Sequence, residues 1–195
     1  MKLAETLSDL VDQLRHEGVD FAVIGGLAAS ARGEARFTRD VDIAVSVVRD
    51  AEAERLIFKL SEAGYEILGT VEQDATTRLA AARLRHDSGV VCDLMFATSG
   101  IEPEIVDSAK TIELFPQLHV PTASAETLLA MKTLSATPQR PRDLGDIRAI
   151  LGANPAFDES VVRQLLELME ARGYGRGQTL VDKWEGLLTQ LSDQD

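Results

Sequence analysis

Residues 24–44 read IGGLAASARGEARFTRDVDIA, and this stretch limits what the rest of the chain can build. A short apolar run, Phe21 to Ile24, ends in Gly25-Gly26, and a small-residue turn and a basic spacer follow. A second apolar segment then carries Asp40 and Asp42 at alternate positions. Strand side chains repeat every two residues, so the two carboxylates share one face. Like charges held together repel unless a cation lies between them. Hard oxygen donors of this kind favour Mg²⁺, with Mn²⁺ as the alternative. Paired glycines let backbone approach a phosphate where a side chain would obstruct it. Together these are the two halves of a nucleotide-handling site.

At 195 residues the chain can bury a sizeable core, as one large domain or two small ones. No apolar run approaches the roughly 20 residues that span a bilayer, so no membrane association is expected. The opening MKLAETLSDLVDQL carries acids in an amphipathic pattern, which suits a helix rather than a signal peptide. Cys92 is the sole cysteine, so no internal disulfide forms, which fits a reducing cytoplasm. The net charge of −12 argues against broad, nonspecific nucleic-acid binding. It leaves room for a local basic patch, and bound metals can supply positive charge to an acidic protein.

Taken in order, Leu3, Leu7, Leu10, Val11 and Leu14 have the spacing of one helical face. Residues 21–24 suit a buried strand, 27–32 a short helix with its N-terminus at the glycine pair, and 40–47 a second strand. A helix over 49–63 and a strand over 65–71 follow. Residues 78–86 and 90–97 read as strands joined at Asp87-Ser88-Gly89. A short helical piece near Pro103 and one or two strands around Pro116 complete this part. From Ser124 the texture becomes helical, with Ser124 and Asp158 as N-caps and Pro141 at a first helical position. Gly173, Gly175 and Gly177 form a joint before the last amphipathic helix. The expected class is α/β (α+β): a mixed sheet flanked by helices over residues 1–122, then a helical region over 123–195.

Gly25-Gly26, a spacer holding Arg36 and Thr38, and Asp40-Val41-Asp42 on an apolar strand resemble the DNA polymerase beta-like nucleotidyltransferases. The fuller string is most similar to the AbiEii/AbiGii-type toxin branch. In that superfamily a third carboxylate sits on a neighbouring strand, and Asp93, within VVCDLMF, matches it. An acid in so apolar a strand is costly to bury without a partner, which metal coordination would provide; an edge-strand acid in water is the plain alternative. Lys132, then Arg142-Asp143 and Asp146, are similar to the branch's downstream motif of a helical lysine followed by Arg-Asp-x-x-Asp. The resemblance implies two-metal transfer of a nucleoside monophosphate from an NTP. Asp40, Asp42 and Asp93 would ligate two Mg²⁺ ions, with Asp93 also a candidate proton acceptor. It further implies nucleotide contacts from Gly25, Gly26, Arg36, Thr38, Lys132 and Arg142. Ser30 could add a hydroxyl at the short helix or simply pack it.

Plain alternatives accompany these readings. Asp143 and Asp146, three apart on one helix face, could orient Lys132 or Arg142, or suit the helix dipole. Arg32, Arg36 and Arg39 could receive a triphosphate or an RNA backbone, whereas Arg83 and Arg85 read as ordinary surface charge. Cys92 alternates with Asp93 and so faces the core. The toxin resemblance implies tRNA or another RNA as acceptor and an antitoxin as partner. Transfer to a small molecule, as in aminoglycoside nucleotidyltransferases, or to a protein is the second reading, and the acidic charge suits a cationic small substrate. A catalytically silent nucleotide- or partner-binding domain is the third.

Overall fold

The computed structural model describes residues 2–74 and 76–192. Helix α1 (Lys2–His16) buries Thr6, Leu7, Leu10, Val11 and Leu14, the face that its spacing sets out. Strand β1 (Phe21–Val23) leads directly into α2 (Gly25–Arg32), then β2 (Val41–Val45) and α3 (Asp50–Glu62). Strands β3 (Glu66–Glu72), β4 (Leu79–Arg85) and β5 (Val91–Met95) follow, then α4 (Glu102–Asp107), β6 (Lys110–Phe115) and β7 (Leu118–Thr122). Four helices close the chain: α5 (Ala125–Ser135), α6 (Pro141–Ala153), α7 (Glu159–Ala171) and α8 (Leu180–Ser192).

The strands form one seven-stranded mixed sheet in the order β3-β4-β5-β2-β1-β7-β6. Strands β2 and β5 pair in parallel, as do β1 and β7, and the other neighbours are antiparallel. Two consequences of this order build the site. Because β2 lies beside β5, Asp42 stands opposite Asp93. Because β4 lies on the other side of β5, Arg83 also stands opposite Asp93. Strand β5 is therefore interior, and the edge-strand alternative for Asp93 does not apply.

The helix expected from Leu27 begins two residues earlier, at Gly25, so the glycine pair is its first turn rather than a preceding loop. Strand β2 begins at Val41, leaving Asp40 on the approach to it. The helical caps act as their residue types require. The Ser124 hydroxyl accepts from the Thr127 N–H at 3.2 Å, and the Asp158 carboxylate from the Ser160 N–H at 2.9 Å. Pro141 occupies the first turn of α6, where its missing N–H costs nothing. A continuous apolar cluster runs from Leu7 in α1 to Leu191 in α8, with Trp184 of α8 fully buried.

Candidate active site

The glycine pair explains the site's floor. Gly25 enters α2 at φ +61, and a Cβ there would stand 2.0 Å from Asp42 Oδ2. A Cβ on Gly26 would meet Thr38 Oγ1 at 2.6 Å and an Arg36 guanidinium nitrogen at 3.2 Å. Both glycines thus make room for the chain's own β2 and spacer, in addition to leaving backbone N–H groups at the helix start. The Gly26 N–H donates to Asp42 Oδ2 at 3.3 Å. Burial, together with the charges of Asp93 and Asp40, pushes the Asp42 carboxyl up to about 6, against the Gly26 hydrogen bond and the charge of Lys132.

The opposite wall comes from the helical region. Lys132 on α5 forms ion pairs with Asp143 Oδ1 at 2.7 Å and Asp146 Oδ2 at 2.8 Å, both on α6. All three side chains are largely buried, at 14%, 7% and 6% exposure, so the ammonium is held in place rather than solvated. Ser135 donates to the second Asp143 oxygen at 3.0 Å. Asp146 also pairs with Arg36, whose Nε lies 2.8 Å from Oδ1 and whose Nη2 donates to Oδ2 at 3.1 Å. Asp143 and Asp146 therefore fix Lys132, and Asp146 ties the spacer to α6. The Ser30 hydroxyl donates to Gly26 O at 2.9 Å and accepts from the Arg36 N–H at 3.3 Å, joining helix to spacer outside the cavity lining.

Between these walls lies a cleft of about 910 Å³. Gly25, Gly26, Arg36, Thr38, Asp40, Asp42, Lys132, Arg142 and Asp143 all line it. Asp93 stands just beyond its lining, because its carboxylate turns toward β4. There Arg83 Nε donates to Oδ1 and Nη2 to Oδ2, each at 2.8 Å. Among the described residues, no three acidic, histidine or cysteine side chains converge closely enough to hold an ion as they stand.

A family profile described as "Nucleotidyl transferase AbiEii toxin, Type IV TA system" matches residues 9–194. The chain belongs to that family. It is a nucleotidyltransferase, which removes the silent-domain alternative. No curated protein matches the sequence. Solved structures share the fold at low identity. An antigenic nucleotidyltransferase-like protein from Paracoccidioides brasiliensis aligns at 20% identity and TM-score 0.51, over 92% of each chain. The antibiotic-resistance factor ANT(2'')-Ia, in complex with adenylyl-2"-tobramycin, aligns at 13% identity and TM-score 0.56, over 88% of this chain and 99% of that one. The lincosamide antibiotic adenylyltransferase LnuA, bound to lincomycin, aligns at 18% and TM-score 0.50, over 75% and 96%.

The donor chemistry of this AbiEii-family chain suits a hard divalent cation: Asp42 and Asp93 opposite each other on β2 and β5, with Asp40 on the approach to β2. Sequence reasoning passed over several residues in and around the cleft. Arg83 reads as surface charge because its partner lies ten residues away, across a hairpin. Arg176, in the glycine joint, lines the cleft at φ +54, a left-handed conformation. Its place depends on Tyr174 packing over Gly100, which no local pattern announces. Glu102, 1% exposed, accepts the N–H groups of Thr98 and Ser99 at 2.8 Å and of Gly100 at 3.0 Å, holding the loop that carries Thr98 and Ser99 into the lining. The cysteine reading stands: Cys92 is fully buried, and burial first, then the Asp93 charge, pushes its thiol up to about 12.

Proposed function

We propose that this enzyme transfers a nucleoside monophosphate from an NTP to an acceptor hydroxyl with Mg²⁺, or Mn²⁺, and that it is the toxin of a toxin–antitoxin pair acting on tRNA or another RNA in the cytoplasm. One observation carries the chemistry: Asp40 and Asp42, beside the start of α2, face the buried Lys132 ammonium across a single cleft. The triphosphate lies between them. The Gly25–Gly26 end of α2 offers N–H groups and a positive dipole end to the phosphates. Lys132, held in place by Asp143 and Asp146, has a third N–H to donate to the phosphates. Arg142, exposed at the cleft and without an ion pair among the described residues, and Thr38 complete the nucleotide contacts.

Asp40 and Asp42, with Asp93, would hold the metal, which would supply positive charge at the reacting phosphate. The acceptor oxygen forms its bond to the α-phosphorus as the bond to the bridging oxygen breaks, and pyrophosphate leaves with that electron pair. Asp93 is the candidate acceptor of the hydroxyl proton. The RNA reading draws on family membership and on Phe37, 78% exposed at the cleft with the Arg39 guanidinium 5.4 Å from its ring centroid. An exposed aromatic and arginine pair suits stacking on an unpaired base. The −12 charge favours a cationic small acceptor as the second reading, and a protein hydroxyl stands behind it.

Labelled ATP, CTP, GTP and UTP, each with Mg²⁺ and in turn with total tRNA, aminoglycosides and a cell lysate, separate these acceptors. Label on tRNA that disappears in Asp42→Ala is expected. Label only on the aminoglycoside would overturn the RNA reading, and no incorporation with any acceptor would overturn the transferase mechanism. Growth arrest on expression, relieved by a product of a neighbouring gene, tests the toxin role and the antitoxin partner.

A further inference from the structure

Among the described residues, Asp93 is the one carboxylate of the three with an ion-pair partner, Arg83. Arg83 binds both its oxygens, Nε to Oδ1 and Nη2 to Oδ2, so the lone pairs a metal would use are taken. The Asp93 side chain is 16% exposed and the Arg83 side chain 58%, so the acid is held in the sheet while its partner sits at the solvent boundary. Opposite Arg83 in β3 stands Gly69, where a side chain would meet nothing within 4 Å. The guanidinium therefore has open space to swing into. Among the described residues no carboxylate trio converges closely enough to hold an ion while this pairing is in place.

We propose that Arg83 is a positioning residue that occupies the third metal ligand in the resting enzyme and gives it up when the ion arrives. Metal binding at Asp93 is an exchange of one cation for another, and this inference rests on the metal-dependent reading above. The exchange keeps the acid from standing uncompensated beside Asp42. It also weakens metal binding before substrate is present, since each ion must displace a bidentate partner. Once free, Arg83 remains on the same sheet face as Asp93.

The test is Mn²⁺ titration of the nucleotide-free full chain, following free Mn²⁺ by electron paramagnetic resonance. Arg83→Ala is expected to tighten Asp93-dependent binding by about five- to tenfold, the scale of a half-exposed bidentate pair. Arg83→Lys, which keeps charge but loses the fork, should fall between. In an Asp93→Asn background, Arg83→Ala should change nothing. Without metal, Arg83→Ala should melt below wild type, and saturating Mn²⁺ should narrow that gap. Unchanged or weaker Mn²⁺ binding in Arg83→Ala, in a protein that still transfers nucleotide, overturns the exchange alone. If no variant binds Mn²⁺ and none transfers nucleotide, the metal-dependent reading falls with it.

Discussion

Gly25 carries two separate constraints that substitution can pull apart. Its φ of +61 penalises any side chain, and the Asp42 carboxylate fills the space where a Cβ would go. Gly18 has a similar φ of +67 but nothing within 4 Å, so it meets the first constraint only. Gly18→Ala is expected to cost about 1 kcal/mol, and Gly25→Ala about 1–3 kcal/mol or more together with most of the activity. Urea denaturation and a transfer assay on the two variants check this. Asp42 titrates in the metal-free protein near pH 6, whereas an unfolded aspartate does so near about 3.9. Between those values the native state holds the extra proton, so this group's contribution to stability is present below the lower value and lost as pH rises through the upper one. Asp42→Asn removes that loss. Its melting temperature relative to wild type, in chelator, should rise from pH 4 to pH 7 while transfer is abolished.

At the scale of elements, helices α5 and α6 meet over a buried charge cluster. Lys132, Asp143 and Asp146 satisfy one another, with Ser135 and Arg36 taking the remaining carboxylate oxygens. Removing one partner leaves charge buried without compensation, so Lys132→Ala should destabilise by roughly 3–5 kcal/mol. Lys132→Met combined with Asp143→Asn should recover part of that, which a double-mutant cycle measures. Asp146→Asn loosens the Arg36 tie and should speed tryptic cleavage of the 33–40 spacer at Arg36 and Arg39 before the rest of the chain is cut. The downstream Arg-Asp-x-x-Asp pattern was legible as a motif, but the choice between orienting Lys132 and orienting Arg142 was not. Helix spacing sets which residues share a face; the crossing of α5 on α6 decides which cation they reach.

Across the whole molecule, we propose that the boundary near residue 122 divides roles rather than independently stable parts. The sheet supplies the carboxylates and the helical region the lysine, yet packing crosses the boundary throughout. Arg32 Nε donates to Ala123 O at 2.9 Å, a Cβ on Gly33 would lie 3.0 Å from the Ala149 backbone, and Asn154 donates to Arg32 O. Residues 1–122 expressed alone are expected to lack a cooperative melt and to bind a hydrophobic dye. Trp184, fully buried and edge-on to Phe157, should cost about 3–5 kcal/mol as Trp184→Ala. Cooperative melting of the fragment would instead make the boundary a domain boundary.

Local chemistry was enough for most of the elements and their caps, because strand and helix periods act over a few residues; Asp40 lies just before β2, and both it and Asp42 line the cleft. It was also enough for the family resemblance, since the glycine pair, the carboxylates and Lys132 are recognised by their order along the chain. The partners of those groups depended on strand order and helix crossing. Arg83 reaches Asp93 only because β4 lies beside β5, and Arg36 reaches Asp146 only because the spacer folds onto α6, across 110 positions of sequence. Charge interactions fall off with distance in space, and only tertiary packing converts separation along the chain into that distance.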